Sequence, residues 1–116
     1  MLFIQYMQNN DVPVTFEAIE KPDTELKDRM GVLKAGYAHE QYVTGLIHGI
    51  YEAAYEAKDF RTMQFLDWFV KEQGEEETNA SDLIKKMELF GEDAKSLYML
   101  DQELGGRTYA APSLTL

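Results

Sequence analysis

The chain has 116 residues, 45% of them hydrophobic and 28% charged, enough for one globular domain and too apolar for a disordered one. The 21 acidic residues outnumber the 11 lysines and arginines, for a net charge of -10 and a pI near 4.5. Such a balance argues against nucleic acid as a partner, since neutralising phosphates needs a basic surface, and it draws cations instead. Cysteine is absent, which excludes disulfides, thiolate zinc sites and a cysteine nucleophile. No apolar run is long enough to span a membrane and no leader peptide is visible, so the expectation is a soluble, cytoplasmic protein with no membrane partner.

Residues 1–8 read as the last turns of a helix that Asn9-Asn10-Asp11 ends. No capping residue precedes them, which fits an ordinary short helix and equally suits a chain whose upstream portion is absent. From 12 to 22 the pattern is an extended crossover. Pro13 and Pro22 block helix there, and Val14, Phe16 and Ile19 are available to lie along a bundle.

A long amphipathic helix is predicted over 24–58, capped by Asp23 or Thr24, with Glu25 in its first turn. Its apolar stripe is Met30, Leu33, Tyr37, Val43, Ile47, Ile50 and Ala54, and Glu40 interrupts it. Gly36, Gly45 and Gly49 weaken the helix locally but admit close contact. A second long helix is predicted over 60–90, opened by Asp59 and stopped by Gly91. Its stripe runs Met63, Leu66, Phe69, Val70, then Ala80, Leu83, Ile84 and Met87. Between the two halves the same face passes through Gln73, Glu76 and Glu77.

The two interruptions lie at comparable distances from the turn near Lys58-Asp59, so antiparallel packing brings them to one height. A carboxylate left unpaired among apolar side chains costs on the order of several kcal/mol, and so each implies a proton, a positive side chain or a metal cation. A short helix follows over 95–104, with Leu97, Leu100 and Leu104 on one stripe and Gly105-Gly106 as its stop. The tail over 107–116 is aperiodic and expected to be extended, lying on a neighbour.

The architecture is therefore all-α, with two long antiparallel helices and a short one. A lone helix pair leaves half of each stripe uncovered, so a further pair is expected from missing sequence or from a second copy in a two-fold assembly.

Three segments carry a resemblance. Tyr37-Ala38-His39-Glu40-Gln41, the run from Phe65 through Trp68 to Glu77, and Leu97-Tyr98-Met99-Leu100-Asp101-Gln102-Glu103-Leu104 closely resemble bacterial non-haem ferritin. The resemblance covers nearly the whole chain and the later part of a ferritin subunit: the end of the second helix, the crossover, and the third, fourth and short fifth helices. It implies a ferritin-like helical bundle, incomplete in one chain, that stores iron after oxidising Fe(II) at a dinuclear ferroxidase centre. On the matching positions, Glu40 is the iron ligand of the third helix. Gln73 and Glu76 serve the second iron, and Glu72 and Glu75 form an outer third-iron site. Carboxylate oxygens suit that chemistry, because they bind Fe(II) and stabilise Fe(III).

The family's first helix and its Glu-x-x-His ligands have no counterpart, so the chain carries about half the centre, and it is a ferroxidase when the missing ligands are supplied. His39 and His48 do not replace that histidine and are expected at the surface. An intact subunit joins a 24-subunit homo-oligomeric cage; for this chain a swapped dimer building one bundle from two copies is the expectation. The contrasting reading is a catalytically silent helical oligomerisation module. For Glu72, Glu75 and Glu77 the plain alternative is a solvated acidic face.

Overall fold

The computed structural model describes residues 1–22, 25–91 and 93–116. Four helices make up the regular structure of these residues: α1 (Leu2–Asn9), α2 (Arg29–Glu56), α3 (Phe60–Phe90) and α4 (Ala94–Gly105). The all-α expectation is met. The chain divides into two compact units. One comprises Met1–Glu25 with Tyr109–Leu116, and the other is Leu26–Thr108.

In the first unit α1 ends in a left-handed turn. Asp11 adopts φ 58°, so that the Val12 N–H reaches the Met7 carbonyl at 2.9 Å and the Asp11 N–H reaches Gln8 at 3.2 Å. These two bonds satisfy carbonyls that a helix end otherwise leaves open. Residues 12–22 carry no regular structure, as two prolines dictate. The tail from Tyr109 onward groups with this unit, so it has a place within its own chain.

The second unit is an antiparallel hairpin of α2 and α3 with α4 across α3. The expected capping residues Asp23 and Thr24 lie outside the described residues, but α2 starts at Arg29. Its cap is Asp28, whose carboxylate accepts the Gly31 N–H at 2.6 Å. Glu25, exposed and outside the helix, is not in its first turn. The hairpin closes through Lys58, which takes φ 55°. The Asp59 N–H then bonds Ala54 at 2.8 Å and the Lys58 N–H bonds Tyr55 at 3.0 Å. Asp59 immediately caps α3, accepting the Thr62 N–H at 3.1 Å. One helix stops and the next starts within a few residues, and that forces the two stripes to face each other.

Between them lie Ile47 and Ala54 from α2 and Phe65 and Leu66 from α3. Leu66 is fully enclosed, at 0% exposure, which contributes about 1.5–3 kcal/mol. Phe65, Phe69 and Trp68 cluster beside it, the Phe65–Phe69 rings tilted at 5.1 Å between centroids and the Trp68–Phe69 rings edge to face at 4.9 Å. The Tyr51 hydroxyl donates to the Asp67 carboxylate at 2.9 Å and ties the helices nearer the turn. That bond, then burial and the Asp67 charge, hold the phenol above its usual range.

At the far end Leu100 of α4 is buried and Lys86 pairs with Glu103, fastening α4 to α3. Other parts of both long helices stay uncovered: Leu46 and Ile50 of α2 are 50% and 44% exposed, and Val70 of α3 is 36% exposed. At Gly36, Gly45 and Gly49 the space that a Cβ would enter is open, with nothing within 4 Å, so within this chain they are not the close-contact points that small residues suggest. Among the described residues no helix is long and apolar enough to cross a membrane.

Candidate metal centre

The two stripe interruptions meet. Gln73, buried at 8% exposure, points its amide across the hairpin at half-buried Glu40. Its Nε2 donates to the Glu40 carboxylate Oε2 at 2.7 Å and to the Glu40 backbone carbonyl at 2.8 Å. The Thr44 hydroxyl donates to the same carbonyl at 2.9 Å. A buried amide with two acceptors for its N–H groups is satisfied on that side, and the bond to an ionised carboxylate is the stronger kind. With the nitrogen committed to Glu40, the lone pairs of Gln73 belong to Oε1, and a neutral oxygen beside an acidic one is a donor pair for a hard cation.

Glu76 lies about one turn further along α3. It lines the same groove as Glu40, a cleft of about 300 Å³ that also includes Tyr37, Asn79 and Arg107. The Glu76 side chain is exposed, because this side of the hairpin is open. Thus Gln73 holds Glu40 directly, and Glu76 shares with Glu40 a groove that Gln73 does not line. Glu75 is not there: that residue lines a separate shallow depression with Lys71, Gly74, Thr78 and Asn79. Glu72 is half-buried on α3, and Glu77, the third member of the acidic run, is half-buried too.

Neither histidine joins them. His39 is exposed and its ring sits 6.4 Å from that of Tyr42, while His48 lines a different groove beside Tyr51 and Asp67. Among the described residues, no group of three or more His, Cys, Asp or Glu side chains is close enough to hold a metal ion. Two carboxylates and an amide oxygen suit a hard cation in kind, and in number they fall short of a full coordination sphere.

Sequence pattern gives no sign of Arg107. It is the sole lysine or arginine after Lys95, and it stands in an aperiodic tail where no helical spacing could assign it to a face.

The ferritin-like domain family matches residues 1–90. The chain belongs to the ferritin-like family. Among curated relatives, a probable bacterial non-heme ferritin-like protein of Haemophilus influenzae is 35% identical over 100 residues, spanning 86% of this chain and 61% of its own length. The bacterial non-heme ferritin of Campylobacter jejuni is 34% identical over 99 residues, with 85% and 59% covered. The chain thus spans about three fifths of the curated relatives it matches. Among solved structures, an open-pore ferritin of Archaeoglobus fulgidus superposes with a TM-score of 0.88 at 37% identity, covering 92% of this chain and 66% of that one. An engineered closed form of the A. fulgidus ferritin gives 0.87 at 38%, covering 92% and 65%. The ferritin-like bundle fold expected from the three segments is therefore the fold of this chain.

Proposed function

We propose that this chain binds iron for storage in the cytoplasm and contributes about half of a dinuclear ferroxidase site through Glu40, Gln73 and Glu76. The observation that carries the reading is the Gln73 amide clamped on Glu40 between two packed helices. Iron is the substrate. Two Fe(II) ions give one electron each to dioxygen, which takes up two protons to become hydrogen peroxide, leaving two Fe(III). The chain's part is to hold the ions and stabilise the higher charge with carboxylates. Glu72, half-buried, and Glu75, exposed, are proposed to serve an outer third iron.

The remaining donors come from missing upstream helices or from a partner chain. In a homo-oligomer, a 24-subunit cage for a complete subunit, further helices cover the open side of the hairpin. Two copies of this chain alone achieve the same cover as a swapped dimer, with both sets of Glu40, Gln73 and Glu76 facing one core. The half-exposed Leu46 and Ile50 favour such cover, because burying each adds about 1 kcal/mol or more.

Anaerobic Fe(II) addition followed by oxygen, read by near-ultraviolet absorbance, tests the proposal. Stoichiometric oxidation that Glu40→Ala and Glu76→Ala both diminish is the expected result. Equal binding and oxidation by parent and variants would remove the site assignment. A second reading, a silent helical oligomerisation module, is favoured by the lack of a three-ligand group among the described residues. It predicts a defined oligomer whose mass and melting temperature do not respond to Fe(II), since a ligand of the folded state must stabilise it.

A further inference from the structure

We propose that Arg107 is the built-in counter-cation of the Glu40–Glu76 groove and sets how tightly that groove takes a metal ion. The second half of this statement rests on the metal-binding reading above. The charged side chains that line the groove are Glu40, Glu76 and Arg107, two acids and one base. Half-buried Glu40 on α2 and exposed Glu76 on α3 line one groove, and a guanidinium, always protonated and weakly hydrated, offers the two acids a positive charge without leaving the chain.

Its position is not accidental to the fold. Leu100 is buried and Lys86 pairs with Glu103, so α4 is fixed against α3 at that end of the hairpin. The helix then stops at Gly106, where the Arg107 N–H turns back to the Leu104 carbonyl at 3.2 Å. The first residue after the stop is therefore delivered to the groove by the docking of α4, and it is the tail's one cation. A divalent ion arriving between Glu40 and Glu76 meets a positive charge and must displace it or bear its repulsion. Metal affinity and Arg107 are then in opposition.

Two measurements on the full chain test this. In a melting-temperature cycle of Arg107→Gln, Glu76→Gln and the double variant at low salt, the two substitutions are expected to be non-additive, the second costing less once the first is made. Additive effects overturn the charge pairing. In calorimetric titration with Mn(II), which binds oxygen ligands without redox chemistry, Arg107→Gln is expected to bind about threefold to tenfold more tightly than the parent, as removal of one like charge from the lining of the same groove allows. Arg107→Lys should restore the parent value, and the gap should shrink in 0.5 M salt, roughly a 4 Å screening length. Unchanged Mn(II) affinity in Arg107→Gln overturns the proposal. If neither parent nor variant takes up Mn(II), the metal reading is what fails, and the melting cycle alone decides the role of Arg107.

Discussion

Gln73 holds Glu40 by two hydrogen bonds from one nitrogen, at 2.7 Å to the carboxylate and 2.8 Å to the backbone carbonyl, although 33 residues separate them. The partner of the acid is thus a neutral amide with a defined orientation. Exchanging it for a second acid turns attraction into repulsion. Gln73→Glu is expected to melt roughly 5 °C lower than the parent in chelator, as like charges in one partly buried site disfavour each other. Mn(II) should recover most of that loss and raise the variant more than the parent. A Gln73→Glu protein as stable as the parent and indifferent to Mn(II) contradicts the placement.

Acid should loosen the hairpin from its helix starts. Bonds from the Thr62 hydroxyl and N–H hold the Asp59 carboxyl below its usual range, and the Ser96 hydroxyl with the Lys95 N–H does the same for Asp93. A carboxyl depressed in the folded state stabilises fully above its unfolded value, near about 3.9, and loses that contribution as pH falls through the lower folded value. Asn caps a helix comparably and does not titrate. Asp59→Asn and Asp93→Asn together should therefore retain more helical circular dichroism than the parent below about pH 4, with little difference near neutral pH. Parallel acid transitions in both proteins tell against these caps as the acid-sensitive points.

The turn at Lys58 stores a small correctable strain. A side chain at φ 55° sits in the left-handed region, and glycine there removes a clash while adding entropy to the unfolded chain. Lys58→Gly should raise stability by about 0.5–1 kcal/mol, and Lys58→Val, β-branched, should lower it by more. Urea denaturation of the two variants checks both signs.

Two glycines should respond oppositely to alanine. At Gly91 an added Cβ falls on the Met87 carbonyl oxygen and 2.8 Å from Met87 Sδ, so Gly91→Ala should shift the α3 end and lower the melting temperature. At Gly45 nothing lies within 4 Å, and Gly45→Ala should gain up to about 1 kcal/mol of helix propensity. Loss at Gly45 instead would mean that a second copy packs against it, and a simultaneous fall in oligomer mass would show as much.

Much of the hairpin and its centre is legible in the sequence. Glu40 and Gln73 stand out because they break apolar stripes of helical period, and breaks at comparable distance from a tight turn must meet. Glu76 shares the groove but is exposed, since a stripe position is buried only where another helix covers it. Periodicity does not say that α2 begins at Arg29, because several residues near its start can cap a helix and only packing chooses among them. Arg107 is hidden for a different reason. What brings it to Glu40 and Glu76 is the docking of α4, a tertiary event that leaves no spacing in the tail itself.

If Glu40, Gln73 and Glu76 together form one cation-binding place, iron must be found between them. Crystals grown without oxygen and soaked in Fe(II), with anomalous differences collected at the iron edge, show this most directly. The expected result is an iron peak bounded by Glu40, Gln73 Oε1 and Glu76. Iron found only at Glu72 and Glu75, or nowhere on the hairpin, contradicts it.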